Sequence, residues 1–157
     1  MKCLEKTNLS IGTENGGRSL LITLFFIVFT VYEGWSKNRK IEKVFSGRMK
    51  LDAKSFYENY FKSLNIPEEV VIDIMEILEK YLDADLSRIS DEDDFSKNLS
   101  FFWKFDSMAD VEIILAIEDK FNIKIENNEA LNTTKLKDLV ILVWKKIQDK
   151  NDKNSNE

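Results

Sequence analysis

The sequence contains no histidine, and its only cysteine is Cys3. An internal disulfide is therefore excluded, and a zinc site built on cysteine and histidine lacks its ligands. A Ser-His-Asp triad and a Cys-His dyad are excluded for the same reason. An enzyme of this composition would have to use carboxylates or lysine nucleophiles, so the composition disfavours an independent catalyst. Scarce cysteine also fits a reducing compartment.

Glycine and proline are scarce as well, with five glycines and one proline in 157 residues. The chain shows no glycine-rich phosphate loop, no internal repeat and no strand-like alternation of apolar and polar residues. Apolar residues recur instead at the spacing of one helical face within residues 53–64, 71–82 and 136–147. The sequence therefore predicts an all-α fold.

Charge divides the chain into two parts. Residues 1–50 carry nine Lys and Arg against four Asp and Glu, whereas residues 51–157 carry fourteen against twenty-four. The net charges of the two parts are therefore +5 and −10. Because the acidic part would repel phosphate backbones, we expect no nucleic-acid partner and favour partners with basic protein surfaces.

The basic N-terminal segment, residues 1–50, contains a nearly continuous apolar run from Leu20 to Tyr32. The run has thirteen residues and reaches Trp35 only by passing Gly34, whereas a membrane-spanning helix needs about 20 residues. Residues 33–36, which follow the run, lack the small-x-small pattern of a signal-peptide cleavage site. The sequence therefore does not favour export.

Two interpretations of this segment stay open. In the first, residues 20–35 anchor the chain in a membrane. Since most of the basic charge follows the run, the acidic part then stays in the cytoplasm, tethered to the inner face of the membrane. In the second, residues 1–48 belong to an over-long gene model, and Met49 starts a compact cytoplasmic protein.

The acidic part is predicted to be helical throughout. Residues 51–66 form one extra amphipathic helix, which Asn65-Ile66-Pro67 interrupts. Pro67 followed by Glu68 and Glu69 is typical of an opening helical turn. We place a helical domain at residues 67–149 and a disordered tail at residues 150–157, whose polar sequence selects no fold.

A run of four acidic residues, Asp91 to Asp94, lies within this domain. We interpret it as a solvated loop that the aromatic residues after it hold in place. The run lacks the alternating spacing and the glycine of a calcium-binding loop, so it does not predict a metal site.

Residues 106–121 form the most informative segment of the chain. Ile113, Ile117 and Phe121 recur every four positions and so share one helical face. The other positions carry acidic side chains, and Ser107 stands at the predicted start of the helix. Ser107 followed by Asp110 is also the spacing of a capping hydroxyl, so a purely structural cap explains the serine equally well at this point.

The segment resembles the attachment motif of the acyl carrier protein family, which reads Asp-Ser-Leu, then Val-Glu, then Ala-Leu-Glu and an aromatic residue. Residues further along fall where such proteins keep their third and fourth helices: Ile125, Ala130, Thr134, Leu136, Val140 and Ile147. The resemblance covers about half of the chain. It implies a small acyl-carrier-like four-helix bundle, here with one extra N-terminal helix.

The resemblance also implies a cofactor, 4'-phosphopantetheine, which a phosphopantetheinyl transferase attaches covalently to Ser107. The arm would carry acyl intermediates as thioesters for fatty-acid, polyketide or related lipid synthesis. Acyl-transferring and condensing enzymes with basic docking surfaces would recognise four acidic residues: Asp106, Asp110, Glu112 and Glu118. Met108 and Val111 would form the lip of a cleft for the acyl chain. We expect a monomer without catalytic activity of its own.

Three departures from the family pattern support an alternative. Lys104-Phe105 replaces the small residues that normally precede Asp-Ser, Ala109 stands where an acid is common, and residues 100–105 look like a bulky insertion. The alternative is an unmodified carrier-like protein that acts as an acidic protein-interaction adaptor. A third hypothesis, an enzyme with paired carboxylates, needs two facing acids in an apolar cleft, and the sequence shows acids on a helix surface instead.

Overall fold

The computed structural model describes residues 14–105 and 108–154. These residues contain helices and a single isolated bridge between Asp94 and Lys135, with no strand among them. The predicted all-α fold is confirmed. The chain divides into two units, residues 1–36 and residues 37–157, which we describe separately.

The first unit holds most of helix α1, which spans Glu14–Val44. Its apolar side chains are exposed at nearly every described position. Phe25, Val28 and Val31 keep 68%, 66% and 67% of their surface exposed. No helix within residues 14–105 and 108–154 combines the length and the apolar content that a membrane span requires.

The second unit begins within α1 and is built around one hydrophobic core. The last turns of α1 contribute to this core, because Ile41 and Phe45 lie four positions apart on one face and are 6% and 0% exposed. The turn after α1 passes through Gly47, whose φ of 76° is a left-handed conformation that favours glycine. Residues 37–45 are therefore part of the packed fold.

Two helices follow at the positions that the apolar stripes predict. Helix α2, Ala53–Tyr60, is capped by the Asp52 carboxylate, which accepts a hydrogen bond from the Ser55 N–H at 2.7 Å. A 3-10 turn at Lys62–Leu64 leads to Pro67, the N-cap residue of α3, Glu68–Leu82. The buried face of α3 consists of Val70, Val71, Ile74, Leu78 and Leu82.

The connection after α3 corrects one prediction. Asp91, Asp93 and Asp94 are 8%, 4% and 5% exposed, so three of the four acids are buried rather than solvated, and only Glu92 of the run stays exposed. Burial is tolerated because the charges are paired: Arg48 donates two hydrogen bonds to the Asp93 carboxylate, and Lys97 lies 3.2 Å from Asp94.

The remaining helices are α4 at Phe102–Phe105, α5 at Ala109–Phe121, α6 at Asn127–Asn132 and α7 at Leu136–Asn154. The start of α7 joins the acidic connection, since the N–H groups of Leu136 and Lys137 donate to the carbonyl oxygens of Asp93 and Asp91. These bonds satisfy amides that a helix start leaves unpaired.

Helix α7 continues to Asn154, so the predicted disordered tail is wrong for residues 150–154. Lys153 lies in the last turn of α7, where its positive charge stabilises the negative end of the helix. The polar composition of the tail did not indicate that the helix extends this far. Residues 155–157 lie outside the described residues.

Candidate functional site

The predicted attachment residue, Ser107, and its neighbour Asp106 lie outside the described residues. The site is therefore defined by the elements on either side of them. Helix α4 ends at Phe105, and α5 begins at Ala109. The N-cap position of α5 falls on Met108, which makes no side-chain capping hydrogen bond. The purely structural interpretation of Ser107 requires the N-cap at residue 107, whereas the structure has the N-cap at residue 108.

The start of α5 is acidic and exposed. Asp110 and Glu112 stand in the first turn, where negative charge favours the positive end of the helix. The Asp110 carboxylate also accepts a hydrogen bond from the Val111 N–H at 2.8 Å. Both acidic residues are exposed, which leaves them accessible to a basic partner.

The two faces of α5 differ as the sequence predicts. Ala109, Ile113 and Ile117 are buried, at 1%, 4% and 0% exposure, and α5 packs against α3. Phe121, the third residue of the predicted stripe, is half-buried and packs against the same core. The opposite face also carries an exposed apolar stripe: Met108, Val111 and Leu115 are 57%, 47% and 54% exposed.

Glu118 differs from the other predicted docking acids. Its side chain is only 10% exposed, and its carboxylate accepts hydrogen bonds from the Ile125 N–H at 2.7 Å and from Lys124 Nζ at 2.9 Å. The hydrogen bonds from the Ile125 N–H and, to a smaller extent, from Lys124 hold the pKa of the Glu118 carboxyl below its ordinary value. The carboxylate therefore fixes the connection between α5 and α6. Its predicted docking role would compete with these internal partners.

A cavity of about 450 Å³ lies behind the exposed stripe of α5. Its lining is mostly apolar and includes Leu78 of α3, Val111, Ile113, Ile114 and Leu115 of α5, Ala130 and Leu131 of α6, and Leu139 of α7. The polar residues that line it include Asp110, Glu118 and Lys124. Val111 is among the residues that line the cavity, whereas Met108 is not, and the role of both as the lip of an acyl-chain cleft stays a prediction.

Two lining residues were missed by sequence reasoning. Phe95 comes from the connection after α3, and Trp103 comes from α4. The sequence indicated only that these aromatic residues need burial. Their place in the wall of the cavity depends on tertiary packing, for which the local pattern holds no signal.

Comparison with known proteins gives a consistent result. No protein-family model matches the chain. The chain is 30% identical over 80 residues to an acyl carrier protein of Exiguobacterium sp. AT1b, covering 51% of this chain and 96% of that protein. It is 34% identical over 68 residues to an acyl carrier protein of Helicobacter pylori J99, covering 43% and 82%. It is 29% identical over 85 residues to acyl carrier protein 3, mitochondrial, of Arabidopsis thaliana, covering 46% and 62%.

Proposed function

The chain belongs to the acyl carrier protein family as a diverged member, and on that premise we propose that it carries acyl intermediates on a 4'-phosphopantetheine arm attached to Ser107. The attached group supplies the thiol on which an acyl chain is held as a thioester. The pathway we propose is fatty-acid, polyketide or related lipid synthesis. The carrier has no catalytic activity of its own in this proposal, and it works as a monomer.

The observation that carries the proposal is the apolar cavity behind α5, the helix that starts two residues after Ser107. Its volume of about 450 Å³ falls in the range of about 300–1,000 Å³ common for small-ligand sites. Buried side chains of α5 such as Ile113 offer an acyl chain apolar surface to pack against, which is favoured over exposure of that chain to water. The residues present therefore fit the cargo of the proposed arm.

The exposed face of α5 supports partner docking. Asp110 and Glu112 would attract the basic surfaces of a phosphopantetheinyl transferase and of acyl-transferring or condensing enzymes. The apolar side chains of Met108, Val111 and Leu115 lie among these acids and would supply the contact area that charge alone does not. Asp106, the residue before Ser107 in the sequence, is a further docking acid in this proposal.

The test is the mass of the intact protein after co-expression with a broad-specificity phosphopantetheinyl transferase. We expect a gain equal to one phosphopantetheine group in the wild type and none in Ser107→Ala. Ser63→Ala is the matched control, because Ser63 is an exposed serine elsewhere in the chain and should leave the gain unchanged. An unmodified wild type beside a carrier that the same transferase modifies would contradict the proposal.

A second candidate function is the unmodified acidic adaptor. The bulky insertion before Ser107 favours it, because Phe101 and Phe102 are buried at 8% and 2% exposure and fix α4 against the core. A fixed helix that ends two residues before the serine would restrict the approach of a modifying enzyme. The mass experiment separates the two functions, since only the carrier gains the group.

We also propose that the carrier is cytoplasmic and that residues 20–35 tether it to the inner face of a membrane without crossing it. Every described apolar side chain from Ile22 to Tyr32 is exposed, at positions that run around the whole helix. A protein groove would cover only one face of such a helix, whereas surrounding lipid would cover every face. Basic residues follow the apolar run in the sequence: Lys37, Arg39, Lys40 and Lys43. Their charge suits anionic lipid head groups.

Flotation with phosphatidylcholine vesicles, with and without phosphatidylglycerol, tests the tether. We expect the wild type to float, more strongly with the anionic lipid, and Phe25→Ser/Phe29→Ser to stay in the soluble fraction. Tyr57→Ser, a change in the packed unit, is the control and should float as the wild type does. Equal flotation of the Phe25→Ser/Phe29→Ser variant and the wild type would contradict the tether.

A further inference from the structure

Most of the cavity wall comes from the long helices, but one part comes from the insertion. Trp103 lies on α4, four residues before Ser107 in the sequence, and its half-buried side chain lines the cavity together with Phe95. Large aromatic side chains in a cavity wall limit the space available to a ligand. The insertion, residues 100–105, therefore contributes to the shape of the cavity. It also lies just before Ser107 in the sequence.

Trp103 is held in place by specific contacts. Its indole N–H donates a hydrogen bond to the Phe95 carbonyl oxygen at 3.0 Å, and the two rings lie with centroids 5.9 Å apart at an interplanar angle of 40°. A buried tryptophan whose N–H has a partner keeps one orientation, because leaving that N–H unpaired is costly. The indole is thus a rigid part of the wall.

The backbone that supports the indole is fixed as well. The Phe95 N–H donates to the Thr134 carbonyl oxygen at 2.8 Å, which joins the connection after α3 to the segment before α7. On α4, Phe102 is 2% exposed and its ring centroid lies 4.4 Å from that of Phe101. The wall therefore cannot move aside without breaking contacts on both sides of Trp103.

We propose that Trp103 is a specificity-determining residue that sets the longest acyl chain the cavity accepts. Each methylene that enters the cavity increases affinity by about fourfold. The gain ends at the chain length that meets the indole, because a further methylene must displace a packed side chain. The inference rests on the proposed carrier function and adds the residue that selects among its substrates.

The test uses the unmodified full-length chain, so that it does not depend on Ser107. Straight-chain primary alcohols from butanol to dodecanol are titrated by calorimetry. They are neutral, and Asp110 and Glu118 at the cavity do not repel them. For the wild type we expect affinity to rise by about fourfold per methylene and then stop rising at one length. In Trp103→Ala the rise should continue to longer chains.

Two further variants keep the result interpretable. Trp103→Phe retains an aromatic ring and should move the limit less than Trp103→Ala, which covers the case in which the alanine variant fails to fold. Ile141→Ala is the control, because Ile141 is an apolar residue that is 41% exposed and is not among the cavity-lining residues, and it should leave the limit unchanged.

The emission of Trp103 locates the bound alcohol. In Trp35→Phe/Trp144→Phe only Trp103 remains as a tryptophan, and its spectrum should shift on titration with an alcohol that binds. The same length limit in the wild type and both Trp103 variants would overturn the inference, as would an absence of alcohol binding at every length. A missing mass gain on Ser107 would overturn the carrier function and leave this result standing.

Discussion

Helix α1 carries apolar side chains in both of its parts, yet the two parts have different surroundings. Between Ile22 and Tyr32 the described apolar side chains are exposed, whereas Ile41 and Phe45 are buried in the core of the second unit. Composition alone does not explain this difference. In the first part apolar residues occupy almost every position, while at the end of the helix Ile41, the partly buried Val44 and Phe45, the residue after the helix, face the core and Glu42 and Lys43 stand between them. An amphipathic face packs against one protein surface, and a uniformly apolar helix has no such face.

Charged contacts add to the difference. The segment after Ser36 is joined to the connection beyond α3 by two arginine–carboxylate pairs, Arg48 with Asp93 and Arg88 with Glu42. Both are bidentate, the geometry in which such pairs are strongest. Buried apolar side chains and paired charges therefore occur together in residues 37–48. Three substitutions test whether this part of the chain is structural, and a fourth tests the neighbouring carboxylate of Asp94.

The largest effect is expected for Phe45→Ala. Phe45 is fully buried, and deleting a buried phenylalanine ring costs about 3–5 kcal/mol of unfolding free energy. Phe29→Ala is the matched control in the exposed part of α1, where the expected change is within about 0.5 kcal/mol in buffer without lipid. Urea unfolding followed by far-UV circular dichroism measures both. Equal effects of the two substitutions would show that the two parts of α1 do not differ.

The next effect is expected for Asp93→Asn. The Asp93 carboxylate is 4% exposed and accepts hydrogen bonds from Arg48, from the Ser90 N–H and from Asn98. Hydrogen bonds to a charged group contribute about 1.5–3 kcal/mol, so a loss of that size is expected in urea unfolding.

The control for this substitution is Asp85→Asn. Asp85 pairs with Lys50 in the same region, but both side chains are at least half exposed. Such a surface pair is worth less than about 1 kcal/mol. If Asp85→Asn destabilised the protein as much as Asp93→Asn, burial would not be what strengthens the Arg48 contact.

Helix positions could be predicted from the sequence because they depend on local spacing. The apolar stripe from Val71 to Leu82 predicted the bounds of α3 to within a few residues, and Pro67 predicted where the helix starts. The buried state of Asp93 could not be predicted, because its main partner, Arg48, lies 45 residues away in the sequence. Charge runs are ordinarily solvated, and only the tertiary contact reverses this expectation.

The candidate site was predictable to a similar extent. The alternation of buried Ile113 and Ile117 with exposed Asp110 on α5 follows from helical periodicity. The internal hydrogen bonds of Glu118 depend instead on the left-handed conformation of Asn122, φ 49°, which turns the chain back toward α5. An asparagine directly after the last stripe residue favours such a helix end, but the sequence does not indicate that Glu118 then bonds to the Ile125 amide.

A smaller effect, visible only in acid, is expected at Asp94. The Ser96 hydroxyl, with further contributions from the Ser96 N–H and Lys97, holds the pKa of the Asp94 carboxyl at about 2. A carboxyl with a lowered pKa stabilises the fold above its ordinary value of about 4, and this contribution is lost as the pH falls toward 2. Asp94→Asn should therefore flatten the fall in unfolding free energy between about pH 4 and pH 2.

Ser96→Ala supplies the control for this pH dependence. Without the hydroxyl donor the pKa of Asp94 should rise toward its ordinary value, which a carbon-detected NMR titration of the carboxyl would show. The acid-induced loss of stability should then begin at higher pH than in the wild type. An unchanged titration of Asp94 in this variant would mean that the serine hydroxyl does not stabilise the carboxylate.

The smallest effect is expected for Asp83→Asn, which removes the charge that faces Lys37 near the boundary between the two units. Lys37 Nζ lies 3.6 Å from the Asp83 carboxylate; the Lys37 side chain is 15% exposed, but the Asp83 side chain is 98% exposed. Water screens such a pair, so the loss should stay below about 0.5 kcal/mol in the same urea unfolding. A loss as large as that of Asp93→Asn would place the first structural contact of α1 at this ion pair. The expected small loss places the first structural contact of α1 at Ile41, the first apolar residue of the helix whose side chain is buried in the core.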